Sequence, residues 1–295
     1  FIINLRREKF GDVKVRKALG LMFNFEWSNK TLFYDLYARI NSFWENSDMS
    51  ATSFPSTEEL NILKPLKNLL PEGVLSENVA SAAVSSTKQL DRKNLRLASK
   101  LLDEAGWEVG DDGLRKNNKD ETLDVEILND SQAFTRIIEP FIENLKALGV
   151  NAKHTKIDNA QMTERERSFD FDIIVGNFPM SFTPGSGLKQ YFGSETADVS
   201  IFNKAGIKSE AIDALIEIVM AAETREDLKV SVRALDRILR SYYFWIPQWF
   251  KDVHTVAYYD FYEHPKNLPP YDMGLLDFWW MNEQKFSELK SKGAF

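Results

Sequence analysis

"LDVEILNDSQAFTRIIEPFIENLKALGVNAKHTKI" occupies residues 123–157 and decides the fold class. "LDVEIL" alternates apolar and acidic side chains, as a half-buried strand does. From residue 134 the period lengthens, because Phe134, Ile137, Ile138, Phe141, Leu145 and Leu148 recur at helical spacing. Gly149 suits the helix stop, and "VNAKHTKI" opens a second strand. Pro140 falls inside the helix and is expected to kink it. Strand, helix and strand at this length make a βαβ crossover, so the two strands should run parallel through a right-handed connection.

Working outward, "DRKNLRLASKLLDEAGW" reads as an amphipathic helix with Leu95, Ala98, Leu101 and Leu102 on one stripe and Gly106 at its end. Asp12 is placed to cap a helix carrying Val15, Ala18, Leu19 and Met22 on one face. "FIINLRREKF" reads as a strand from its first residue, with no Met and no signal-peptide pattern, so residues are expected to precede Phe1. Residues 41–87 lack a clear period and should be functional or mobile. Beyond the crossover come a short helix near 159–167, a strand at 171–176 and helices near 209–222 and 225–241. Thr224 and Asp227 are placed like a capping box. The aromatic tail from "YYFWIPQWF" to "DFWWMNEQ" reads as strand-like, interrupted by Pro247, Pro265, Pro269 and Pro270. The fold class is α/β with a mixed sheet.

Composition narrows the function. A net charge of −7 and a pI near 5.2 argue against nucleic acid or an anionic membrane surface as partner. With no cysteine, disulfides, thiolate catalysis and cysteine-ligated metals are excluded. No stretch approaches the ~18 consecutive apolar residues of a membrane span. His154, His254 and His264 are scattered, so no metal site is expected. There is no G-x-S-x-G, P-loop or G-x-G-x-x-G motif, and "TPGSG" reads as a turn with no compelling helix after it.

The most informative loop is "DFDIIVGNFPMSFTPG", residues 170–185. Its first half is a buried strand, and nothing is charged from Ile173 to Leu188. Ligand sites on α/β sheets collect beyond the carboxyl ends of strands. The uncharged loop with Phe178, Met180 and Phe182 is therefore expected to form one wall of a binding crevice. Seven Trp and 21 Phe exceed the obvious needs of a core. Trp107, Trp245 and Trp249 are expected in the core, whereas Trp27, Phe43, Trp44, Phe54, Phe178 and Phe182 sit in loop-like contexts. Asp170 and Asp172 could form a catalytic carboxylate pair on one strand face, about 7 Å apart at the Cα. The competing reading has them solvate the exposed face while Phe169, Phe171 and Ile173 point inward, and it is favoured because a catalytic acid needs seclusion.

At this point a family becomes recognisable. "DVKVRKALGLMFNFEW", "RLASKLLDEAGW", "FIENLKALGVNAKHTKID", "FDFDIIVGNF" and the aromatic tail occur in the order found in periplasmic peptide-binding proteins of ABC importers, the dipeptide, oligopeptide and nickel class. The "FDFD…SFTPG…YFGS…AGI" run is most similar to the branch that includes microcin C-type peptide importers. The resemblance implies a periplasmic binding protein-like lobe over 1–250 and a tail, 251–295, that returns to a first lobe whose main part is absent. It implies a periplasmic receptor that delivers a peptide or peptide conjugate to an ABC permease in the inner membrane. Neither cofactor nor catalysis is implied, and the alternative is a hydrolase of a peptide or glycan using Asp170 and Asp172. In the family's oligopeptide binders an Asp past the "[FY]-D" strand holds the ligand amine. Here that place falls near Met180, and no acid lies between Asp172 and Glu195. The amine anchor is thus absent or supplied by another segment, and backbone pairing with aromatic contacts is left open. The candidate ligand-binding residues are Asn177, Phe178, Met180 and Ser181 after the strand, Asn24 and Trp27 at a helix end, Ser53 and Phe54 in the long loop, and Asn203 from "IFNKAGI".

Overall fold

Strand β1 (Ile2–Ile3) is wholly buried in this computed structural model, which describes residues 1–269 and 272–294. Helix α1 (Val13–Met22) begins where the Asp12 carboxylate accepts the Lys14 N–H, and it buries Val15, Ala18, Leu19 and Met22 as expected. Helix α2 (Phe25–Leu32) and strand β2 (Ala38–Arg39) follow. The weakly patterned 41–87 segment contains a helix that periodicity did not show, α3 (Thr57–Leu63). Its signal was the reciprocal capping box of Ser56 and Glu59, since seven residues are too few for an apolar period to register.

Helix α4 (Arg92–Glu104) is capped by Asp91 and leads into Gly106, whose φ of +80° favours glycine. A small hairpin, β3 (Glu108–Val109) with β4 (Arg115–Lys116), precedes the crossover. The crossover itself is β5 (Asp124–Asn129), α5 (Gln132–Ala147) and β6 (Asn151–Lys156), with β5 and β6 parallel and Asp124 opposite Asn151. Helix α5 runs through Pro140 without a break in its assignment. Helix α6 (Asn159–Arg167) then leads to β7 (Ile173–Ile174), which is shorter than the expected 171–176.

The sheet order is β1-β7-β5-β6, with β7 parallel to β5 and antiparallel to β1. Register explains its near-continuous apolar sequence. Ile3, Ile173 and Ile127 form one row against a core that includes residues of α1, α4 and α5. Ile2, Ile174 and Leu128 form the opposite row, against a second core that draws on the next helices. Both faces are buried, so alternation with polar residues is not needed at the centre.

Those helices are α7 (Gly187–Phe192), α8 (Glu210–Met220) and α9 (Arg225–Ser241). Helix α7 corrects the expectation that no helix follows "TPGSG". Thr224 caps α9 by accepting the Asp227 N–H, while its hydroxyl donates to the Asp227 carboxylate. Strand β8 (Trp249–Phe250) pairs antiparallel with β2 and completes a compact unit, Phe1–Phe250. The second unit, Lys251–Phe295, holds an antiparallel pair, β9 (Tyr262–Glu263) with β10 (Trp280–Met281), and a helix absent from the strand-like reading, α10 (Glu283–Ser291). Pro270, one of the expected interruptions, lies outside the described residues.

Candidate ligand-binding cleft

The chain leaves β7 at its carboxyl end through Val175 and Gly176. A Cβ on Gly176 would sit 2.6 Å from Ile2 Cδ1, so glycine lets the exit lie against β1. The next residues enter the wall of a cleft of about 710 Å³, to which they contribute Asn177, Phe178 and Met180. A second wall is the loop after β2, with Ile40, Ser42, Phe43 and Glu45. Trp245, Gln248 and Trp249, from the stretch after α9, close the third side.

Buried bonds hold these walls in place. Asp236 of α9 is fully buried and accepts the backbone N–H groups of Phe43 at 2.9 Å and Ala51 at 3.0 Å, with Arg240 at 3.2 Å. The Trp44 indole N–H donates to the Ser181 carbonyl at 3.0 Å and ties the first wall to the second. Phe43 packs with Trp245 at a centroid distance of 4.4 Å and with Phe178 at 5.2 Å. Trp249 stacks on Phe134 at 6.0 Å. Such aromatic pairs add stiffness beyond the area they bury.

The polar side chains lining the cleft are Ser42, Glu45, Asn177, Lys204 and Gln248. Glu45 spends one carboxylate oxygen on the N–H groups of Asn41 and Ser42, at 2.6 and 3.1 Å. Lys204 is ion-paired with Glu166. The Gln248 Nε2 is buried and has no hydrogen-bond partner among the described residues. No group of three or more His, Cys, Asp or Glu that could hold a metal occurs among the described residues. The arrangement offers aromatic faces and amide donors, which suits a ligand rich in carbonyls and apolar groups.

Residues 1–199 match the middle region of the bacterial extracellular solute-binding proteins, family 5. The chain belongs to this family. It is 39% identical to the probable peptide-binding protein YejA of Agrobacterium fabrum, over 95% of this chain and 46% of that protein. It is 35% identical to YejA of Escherichia coli K12, over 98% of this chain and 47% of that one. In fold it is similar to the oligopeptide-binding protein AppA of Bacillus subtilis, solved with a nonapeptide, at a TM-score of 0.64 and 17% identity, covering 95% of this chain and 49% of AppA. The chain thus spans about half the length of the curated relatives it matches.

Within this family-5 chain, the residues singled out from sequence part into two groups. Asn177, Phe178 and Met180 line the cleft, and Ser181 adjoins them with its carbonyl held by Trp44. Asn24 is buried, donates to the carbonyls of Ser86, Lys88 and Gln89 and accepts the Trp27 N–H. Asn203 likewise donates to the Gly193 carbonyl and accepts from Gly206 and Ile207. Trp27 lies in the first turn of α2 and Phe54 is 60% exposed, and neither lines the cleft. The Ser53 carbonyl is taken up by Arg237 and Val79. Asn24, Trp27, Ser53, Phe54 and Asn203 do not line this cleft.

Trp245 and Trp249, expected in the core, are half-buried, pack against the cores and also line the cleft, as does the unforeseen Gln248. One correction follows. Asp172 does not solvate an exposed face. It is buried and accepts from Lys9 at 2.7 Å and from the Glu126 N–H at 3.0 Å, whereas Asp170 is exposed and paired with Arg7 at 2.7 Å. Neither carboxylate lines the cleft, and the hydrolase alternative finds no support.

Proposed function

We propose that this chain forms one lobe of a periplasmic solute receptor that binds a peptide or peptide conjugate and passes it to an ABC permease in the inner membrane. The observation that carries the reading is the cleft at the carboxyl end of β7, with aromatic walls built from Phe43, Phe134, Phe178, Trp245 and Trp249. Its ligand contacts are Asn177, Phe178, Met180 and Ser181, joined by Trp245, Gln248 and Trp249. Family membership and the peptide-binding name of the Agrobacterium relative support it. No described helix is long and apolar enough to cross a membrane. In the two-lobed form that the resemblance implies, a first lobe would supply the opposite wall, residues 251–295 would return to it, and hinge closure would bury the ligand. The receptor performs no chemistry on its cargo. The likeness to microcin C-type importers extends the proposal to peptides that carry a conjugated group.

The test is native mass spectrometry after incubation with a mixed peptide library. Retained peptides of unchanged mass are expected, and Phe178→Ala should weaken their binding about tenfold, the loss typical of a buried aromatic anchor. Cleavage of the retained peptides, or no retention by a folded chain, would overturn the reading.

A further inference from the structure

We propose that a second pocket in Phe1–Phe250, on the α1 side, binds a carboxylate attached to an apolar body. The pocket measures about 230 Å³ and lies between α1, α4, the segment at 81–83 and the turn at 243–247. Arg16, Lys17 and Arg39 line it, and no acid does, in a chain whose net charge is −7. Its remaining wall is largely apolar, with Leu97, Leu101 and Ile246.

The three cations are not equivalent. Arg16 is used structurally, since its guanidinium donates to the carbonyls of Phe10, Gly11 and Tyr242. Lys17 lies 4.7 Å from the Tyr243 ring centroid and forms no ion pair among the described residues. Arg39 is the exception. Its three guanidinium nitrogens are buried and none has a hydrogen-bond partner among the described residues. The rings of Phe23 and Phe25 face it at 5.3 and 5.2 Å. Ring faces attract the charge, but they do not satisfy five in-plane N–H donors. Burial draws the Arg39 pKa down to about 10, with the Glu26 charge acting against it, so the group stays cationic at neutral pH.

A buried, charged fork without an acceptor is costly, and a carboxylate is the acceptor whose geometry it matches. A rotamer change about the long Arg39 stem would bring the fork to a carboxylate seated in the pocket. Lys17 would add a second positive charge near the mouth. The apolar wall calls for a hydrocarbon body rather than a compact inorganic anion. This pocket is distinct from the peptide cleft, with Trp245 the one residue lining both. On β2 and just after it, Arg39 lines the pocket and Ile40 the cleft.

Two sources carry this chemistry, a free aliphatic acid and the carboxyl terminus of a peptide. Calorimetric titration of the 295-residue chain with hexanoate and with N-acetylleucine, each beside its neutral amide, separates them. At least one acid is expected to bind tenfold or more tightly than its amide, and the tighter acid names the source. Arg39→Met should remove the preference, with circular dichroism confirming the fold. Lys17→Gln should weaken acid binding severalfold without touching the buried rings. Equal binding of acids and amides, no binding of either acid, or selectivity retained in both variants would each overturn the proposal.

Discussion

Asp236 never reaches the cleft, yet its carboxylate fixes the backbone of Phe43 and Ala51 and faces Arg240. Burial pushes its pKa up, while Arg240 and the two N–H groups pull it down; the net direction is up. Asp236→Ala would leave the buried Arg240 guanidinium without its counter-charge and two amides without their acceptor. Removing one partner of a buried pair costs about 3–5 kcal/mol, so the urea midpoint should fall markedly. Peptide affinity of the remaining folded protein should fall too, because Phe43 loses its anchor. An unchanged midpoint would show that the loop is held elsewhere. Nothing in "RALDRILRS" announced this role, because an Asp four residues before an Arg reads as a surface helix pair. Phe178 and Met180 were legible for the opposite reason: a loop without charge in an acidic protein is a local anomaly. Asn24 and Asn203 bond to backbone groups, and a polar side chain reads the same in sequence whether it faces ligand or backbone.

Among the elements, length decided what could be read. The β5–α5–β6 crossover was recovered with its parallel pairing because 16 helical residues repeat the apolar period several times. Helices α3 and α7, of seven and six residues, were missed, and β7 shrank to two paired residues. What locks the crossover to its surroundings is a charge cluster at Glu126. It accepts from Arg165 of α6 at 2.6 Å and from Thr155 of β6 at 2.7 Å, with Lys153 at 3.1 Å. Burial alone would raise the Glu126 pKa, but these partners outweigh it and lower the value from 4.5 to about 2. A carboxylate with a depressed folded-state pKa stabilises fully above its unfolded value and loses that contribution as the pH falls through the folded one. The loss therefore falls between pH 4.5 and about 2. Glu126→Gln should be less stable near neutrality but lose less on acidification. Urea midpoints at pH 6 and pH 3.5 check this, since the difference between the two pH values should be smaller in the variant.

For the molecule as a whole, burial divides the chain unevenly. Phe1–Phe250 carries both cores, and every described residue lining the cleft lies at or before Trp249. In Lys251–Phe295 the one buried side chain among the described residues is Phe261, while Leu276, Phe278 and Trp280 are 97, 48 and 49% exposed. Apolar exposure of this kind invites association. Sequence alone suggested the aromatic tail but not its thin core, because a Trp that will be covered and one left bare are spelled alike. Truncation after Asp252 keeps β8 and its pairing with β2. The shortened protein should melt within about 2 °C of the parent, because little core is removed. It should bind the same peptides with unchanged affinity and sediment with less self-association. A large fall in melting temperature, or loss of the peptide, would make the tail an integral wall of this lobe rather than a visitor to its partner.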